Sequence, residues 1–469
     1  MRKAWTTEGG DLFLDLTLSS GRRAGLVCAL RDAIRSGRLG SGMRLPSSRA
    51  LAADLGLARG TVVEAYQQLV AAGYLTAERG RGTMVSAGTR DWAASTEPVR
   101  STTPAVSFLP GPPDLASFPR RRWLAALRRA LATAPDEALD YGDPRGMPEL
   151  RQALAAYIGR TRGVMATADR LVVCSGFVQG LALVCRALRA GGATAIAFED
   201  PSWSFHRSVA AAEGLRIVGL PVDDEGPRLD RLALEDVAAV VVTPAHQAPT
   251  GVTMSAARRA ALLRWSQDHD GIVVENDYDA EFRYDQPPVG AMQGLDPERV
   301  VHAGSASKTL APGVRLAWLT LPHRLIDPVV AAKIMADRGS AVLDQMAFAQ
   351  LVESGDYDRH VRRMRRSYQS RRDLLIGTLS DRVPALRVLG VAAGVHAVVE
   401  LPSPGPTEKE VVALGRQRSV LVTGMGSFRH HPHDDDRQAI VIGYAQPPWH
   451  RYRESVERVA ALLYDACAG

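Results

Sequence analysis

Lys308 stands among small hydroxyl residues in the run Gly304-Ser305-Ala306-Ser307-Lys308-Thr309, with Arg315 a few residues further on. The lysine offers an amine that can condense with an aldehyde. Ser305, Ser307 and the forked guanidinium of Arg315 offer donors for a phosphate. Together these are the requirements of a pyridoxal phosphate site. Surface loops often carry a lysine between serines, so the motif needs the remaining parts of such a site elsewhere in the chain.

Those parts occur in order. Leu171-Val172-Val173-Cys174 reads as a strand that Ser175-Gly176 turns into a helix from Phe177 to Leu188. The first amides of that helix, with its dipole, would receive a phosphate. A strand over 195–198 leads to Pro201-Ser202-Trp203, an aromatic placed to stack on a flat ring. A strand over 240–242 leads to His246-Gln247-Ala248-Pro249-Thr250-Gly251. Ile272-Val273-Val274-Glu275-Asn276-Asp277-Tyr278 ends in polar groups that could reach a pyridine ring. Alternation along a strand puts Asn276 and Tyr278 on one face and Asp277 on the other; a bulge would bring Asp277 to the ring instead. All these groups fall where strands give way to loops, the ligand-binding edge of open α/β sheets.

The elements that must position them belong to an ordinary globular chain. It has 469 residues, 46% hydrophobic and 23% charged, enough for about three domain-sized units. Cys28, Cys174, Cys185 and Cys467 show neither metal spacing nor a disulfide framework, which points to a reducing, cytoplasmic compartment. Glu8, Asp11 and Asp15 near the start speak against a signal peptide, and no apolar run is long enough for a membrane span.

Charge is localised. Between residues 20 and 87 there are ten arginines against Asp32, Asp54, Glu64 and Glu78, which accounts for the whole net charge of +6. A basic module on a neutral body points to a polyanionic partner for the module alone. Leu26, Leu30 and Ile34 keep helical spacing between Arg22 and Ser36; Ser47 or Ser48 caps a short helix to Leu55, and Gly56 makes the turn. A recognition helix follows from Arg59, with Val62, Tyr66 and Leu69 inward, then two wing strands around Gly73-Tyr74-Leu75 and Arg79-Gly80-Arg81-Gly82-Thr83. Arg44-Leu45-Pro46-Ser47-Ser48-Arg49, Leu55-Gly56, Arg59-x-Thr61-Val62, Gly73-Tyr74-Leu75 and Gly80-x-Gly82 resemble the GntR family of bacterial regulators. The resemblance implies a winged helix-turn-helix over 12–87 that binds double-stranded operator DNA through Arg44, Arg49, Arg59, Thr61 and Gly80.

Residues 88–104 lack apolar periodicity and read as a flexible linker. From 105 to 469 strand-like runs alternate with helical stretches, an α/β pattern with a mostly parallel sheet. This body resembles the fold-type I aminotransferases, and its combination with the head resembles the MocR subfamily of regulators. The motifs that carry the likeness are Tyr141-Gly-Asp-Pro-Arg-Gly146, Ser175-Gly176, Pro201-Ser-Trp203, His246-Gln-Ala-Pro-Thr-Gly251, Glu275-Asn-Asp-Tyr278, Ser305-x-Ser-Lys308, Arg315 and Gly443-Tyr444-Ala445.

The resemblance implies a smaller C-terminal α+β subdomain, and Lys308 as the residue that holds pyridoxal 5'-phosphate. It implies phosphate contacts by Ser175, Gly176, Phe177, Ser305, Ser307 and Arg315, stacking by Trp203 and a bond from Tyr278 to the phenolic oxygen. Tyr141 would reach a neighbouring subunit's phosphate, hence a homodimer. Three positions depart from the enzymes: Asn276 replaces an aspartate at the pyridine nitrogen, Ala248 an asparagine, and Gln446 an arginine for the ligand carboxylate. The departures favour a sensor over an enzyme, with pyridoxal phosphate itself or an amino compound as effector. The basic stretch from Arg359 to Arg372 keeps helical spacing and reads as a solvated helix face. The run from His430 to Asp436 reads as a loop and not as a metal site.

Overall fold

The computed structural model describes residues 6–7, 10–11, 21–78, 82–86, 106–284, 289–430 and 437–468. Gly80 with Arg79 and Arg81, the linker 88–104 and the loop 431–436 lie outside the described residues. The chain divides into two compact units, Met1–Ser101 and Thr102–Gly469. Among the described residues no helix is long and apolar enough to cross a membrane.

In the first unit three helices, Arg22–Arg35, Ser48–Leu55 and Arg59–Ala71, close over one core. Leu26, Leu30, Leu51, Val62 and Leu69 are all within 1% of full burial, so the apolar residues at helical spacing form the inner faces. Ser47 caps the second helix by accepting from the Ala50 amide at 3.2 Å, and Gly56 ends it in the left-handed region at φ 66°. Tyr66 donates its hydroxyl to Pro46 O at 2.9 Å, tying the recognition helix to the stretch before the second helix. Leu75–Glu78 and Gly82–Val85 pair antiparallel as the wing.

The second unit is built on an eight-stranded sheet. Its order is Leu171–Cys174, Ala317–Thr320, Val300–Ser305, Ile272–Asp277, Ala239–Val242, Ala195–Asp200, Arg216–Asp223, Gly226–Pro227. The five strands from Val300–Ser305 to Arg216–Asp223 run parallel, and Ala317–Thr320 is antiparallel to both its neighbours. The central strands are apolar on both faces because helices cover both. One face, with Val172, Cys174, Ile196, Phe198, Ile272 and Val274, packs on the helix Phe177–Ala190 and its neighbours; the other carries Ala195, Ala197, Val240, Val242 and Val273.

A second, antiparallel sheet of four strands, in the order Arg387–Leu389, His396–Glu400, Ala439–Gly443, Thr423–Gly424, makes the smaller subdomain. The helix Asp356–Arg382 leads into it and buries Val361, Met364, Tyr368 and Leu375 on one side, so the arginine-rich stretch is an amphipathic helix.

The beginning of the second unit is pinned along its length. Val106–Ser107 pairs parallel with Val420–Leu421. Phe108 is fully buried and its carbonyl accepts from Gly443 N. Asp114 accepts from the fully buried Arg371 at 2.8 Å and through its amide donates to Tyr368 Oη at 2.9 Å.

Candidate functional site

Lys308 follows the strand Val300–Ser305 and reaches back to the start of the unit, where its Nζ donates to Gly111 O at 2.5 Å. Burial pulls its amine below the usual lysine range, against the opposing attraction of Asp279. A lysine so placed has a larger share of the neutral, nucleophilic form.

The phosphate donors gather beside it. Gly176 ends the turn out of Leu171–Cys174 at φ 94°, and a Cβ there would lie 2.8 Å from the Arg315 guanidinium. Arg315, exposed and at φ 56°, donates to Ser175 O. Ser305 Oγ donates to Ser307 Oγ at 2.9 Å and accepts from Ser307 N at 3.1 Å. In the first turn of Phe177–Ala190 the Gln179 amide donates to Gly176 O at 3.1 Å, which leaves the amides of Phe177 and Val178 without an intrahelical acceptor. The Ser175 amide is already taken by Gln179 Oε1 at 2.6 Å. The cradle therefore consists of the helix start, two hydroxyls and one guanidinium, and the positive φ at 176 favours glycine there.

At the end of Ile272–Asp277 the strand is regular, with Asn276 opposite Ala303 and Asp277 opposite Gly304. Asn276 shares the parity of Ile272 and Val274, hence the face of the phosphate helix. It is 6% exposed and its Oδ1 has no hydrogen-bond partner. Such an orphan acceptor is costly unless a ligand meets it. Asp277, on the other face, is engaged: Arg162 donates to it at 2.7 and 3.1 Å, and His302 Nε2 lies at 3.0 Å. Burial alone would raise the Asp277 carboxyl, but Arg162 and His302 hold it well below the usual carboxylate range.

Several further polar groups gather around the lysine. His246 Nδ1 lies 2.9 Å from Asp279 Oδ2 and 3.2 Å from Tyr278 Oη, with His246 and Asp279 both nearly inaccessible. Burial, then Asp279, keeps the Tyr278 phenol protonated far above its ordinary range. His206 packs edge-on against Phe177 at 4.8 Å; burial, then the nearby Lys308, lowers it to about 4. Glu199 is pushed up to about 7 by burial, although Thr243 N and Oγ and Gln247 Nε2 donate to it. His246 and Asp279 lie inside or beside quoted motifs. Gly111 and His206 had only tertiary structure to reveal them.

Other expected residues take distinct places. Trp203 sets its ring edge-on to Phe428 at 5.0 Å; beside it Arg207 ties Ser202 to the Phe428 carbonyl. Tyr141 is 77% exposed, with the Arg338 guanidinium 4.3 Å from its ring centre, and takes no part in the cradle of its own chain. Gln446 donates to Leu109 O at 2.9 Å. Ala248 is buried at the cis peptide bond before Pro249 and offers no side-chain donor.

In the first unit Arg44, Arg49 and Arg59 are exposed and their side chains make no ion pair or hydrogen bond among the described residues; Thr61 is half-buried. Arg59 and Thr61 lie in the first turn of the recognition helix, whose cap residue Ala58 supplies no side-chain acceptor. The positive end of the helix is thus left open to an anion. Arg44 lies along the wing, where a Cβ on Gly82 would meet its Nε at 3.1 Å.

The comparisons with known proteins agree with both units. Residues 23–85 match the family "Bacterial regulatory proteins, gntR family", and residues 112–437 match "Aminotransferase class I and II". The pyridoxine biosynthesis transcriptional regulator PdxR of Corynebacterium glutamicum is 30% identical over 85% of this chain and 87% of its own. The probable rhizopine catabolism regulatory protein MocR of Rhizobium meliloti is 31% identical over 74% and 75%. Among solved structures, kynurenine aminotransferase of Pyrococcus horikoshii superposes with a TM-score of 0.69 at 26% identity, over 78% of this chain and 92% of its own. Fold and site thus define a winged-helix head joined to a fold-type I, pyridoxal phosphate-binding body. The chain belongs to the class I and II aminotransferase family and, with its gntR head, to the MocR subfamily of regulators.

Proposed function

We propose that this protein is a cytoplasmic transcriptional regulator in which the head, 12–87, binds operator DNA and the body, 105–469, senses pyridoxal phosphate itself or an amino compound. The observation that carries the reading is the end of Ile272–Asp277: a neutral amide with an unpartnered oxygen faces the site, and the adjacent carboxylate is committed to Arg162 and His302.

When bound, pyridoxal phosphate supplies an aldehyde for an amine and a ring that withdraws electrons from the carbon next to that amine. Lys308 holds the group through its amine. Gly176, Phe177, Ser305, Ser307 and Arg315 would bind its phosphate with Ser175 at the turn, Trp203 would pack on its ring, and Tyr278 would donate to its phenolic oxygen. Asn276 can share a hydrogen bond with the ring nitrogen but carries no charge to keep that nitrogen protonated, so the body binds and exchanges amines while turning them over poorly. Tyr141, exposed as it is, reaches the site of a second copy in a homodimer.

Gel shifts on the upstream region of its own gene, with and without pyridoxal phosphate and a panel of amines, test the reading. A retarded complex whose affinity changes with one of these compounds is the expected result. The other reading, a working aminotransferase, rests on the intact lysine and cradle. A half-transamination assay followed at the cofactor absorbance separates the two: rapid conversion by an ordinary amino acid favours the enzyme, and Asn276→Asp is expected to speed a slow reaction.

A further inference from the structure

Away from Lys308 a cavity of about 190 Å³ opens between the end of the helix Pro148–Arg162, the first turns of Asp356–Arg382 and the turn at Ala280-Glu281. It is larger than the ~30 Å³ share of one water and smaller than the ~300 Å³ at which drug-sized pockets begin. Its size therefore suits a small ion or metabolite fragment.

The charged groups on its wall do not cancel. Arg162 is committed to Asp277 at 2.7 Å and Arg160 to Asp358 at 2.7 Å. Arg365 spends only its Nε, donating to Glu281 O at 2.6 Å. Arg362, exposed on its helix, makes no ion pair or side-chain hydrogen bond among the described residues. Burial, then the charge of Asp277, pushes the Glu281 carboxyl up to about 7, so near neutral pH its negative charge is only partly present. Guanidinium groups have five donors and no acceptor, so two of them with free nitrogens around one cavity ask for oxyanion lone pairs.

We propose that this cavity is a binding site for a small dianion, a phosphate or a dicarboxylate, held by the planar forks of Arg362 and Arg365 and separate from the Lys308 site. The inference does not rest on the role given to Lys308.

The test is isothermal titration of the full chain, loaded with pyridoxal phosphate so that the Arg315 cradle is filled, with inorganic phosphate and with succinate in turn at constant ionic strength. A saturable isotherm with one equivalent of either anion is expected, and which anion gives it tells phosphate from dicarboxylate. Arg362→Ala and Arg365→Ala should each weaken that binding at least tenfold, and Arg366→Ala, an exposed arginine of the same helix outside the cavity wall, should leave it unchanged. Arg362→Lys keeps the charge without the fork and should fall between; it carries the test if the alanine variant does not fold. The proposal is overturned if neither anion binds, if binding survives Arg362→Ala or Arg362→Lys undiminished, or if Arg366→Ala weakens it as much as they do. Cofactor absorbance reports loading throughout, so failure of the Lys308 assignment would be seen separately.

Discussion

Two neighbouring residues, Asn276 and Asp277, point in opposite directions and have different physical duties. Asp277 joins Arg162 and His302 in a buried charge cluster, and removing one partner of such a cluster leaves the others uncompensated. Asp277→Ala is therefore expected to destabilise the second unit by about 3–5 kcal/mol in denaturant unfolding. Glu199 makes a second prediction. Its folded pKa is raised from the ordinary carboxylate range to about 7, so between the two values the folded state binds more protons than the unfolded one. Stability then falls as pH rises from 4.5 through 7. Glu199→Gln should flatten that fall by about 1–3 kcal/mol, read as the difference between melts at pH 5 and pH 8. At this scale the sequence was legible where chemistry sits in a short run. The lysine, both serines and Arg315 lie within eleven positions, and alternation assigns faces to Asn276 and Asp277. The carbonyl of Gly111 beside Lys308 was not legible, because 197 positions separate the two and a backbone oxygen has no letter of its own.

At the scale of elements, turns and helix starts set the function. The recognition helix begins uncapped with Arg59 in its first turn; Arg49 on the helix before it and Arg44 along the wing are exposed as well. Arg49→Ala and Arg59→Ala should each weaken operator binding and reduce the slope of log affinity against log salt by about one, in gel shifts over a salt series. Neither residue belongs to the second unit, so cofactor absorbance should not change. Gly176 presents the matching case in the body. An alanine there would have to keep φ near 94° and push against the Arg315 guanidinium. Gly176→Ala is thus expected to weaken pyridoxal phosphate binding at least tenfold by fluorescence titration, with the rest of the sheet retained. The parallel strands were readable from their short, wholly apolar runs, and the head from its helical spacing and caps. Strand order was not. Ala317–Thr320 inserts between strands that precede it by more than ten and by more than a hundred residues, and only packing decides that place.

For the molecule as a whole, each of the two units has a hydrophobic core of its own. Calorimetry of the full chain should show two transitions, with pyridoxal phosphate raising only the one that belongs to the body, since a ligand stabilises the unit that binds it. The stretch from Val106 to Asp114 adds a rule about where the chain can be cut. A body that begins at residue 105 keeps the Gly111 carbonyl for Lys308 and the Asp114 carboxylate for Arg371. One that begins at residue 115 strands a fully buried guanidinium without its counter-ion and bares the lysine amine. The stretch ahead of the first long helix is therefore part of the body's frame, and a truncation placed at that helix, Arg120–Thr133, would unfold it.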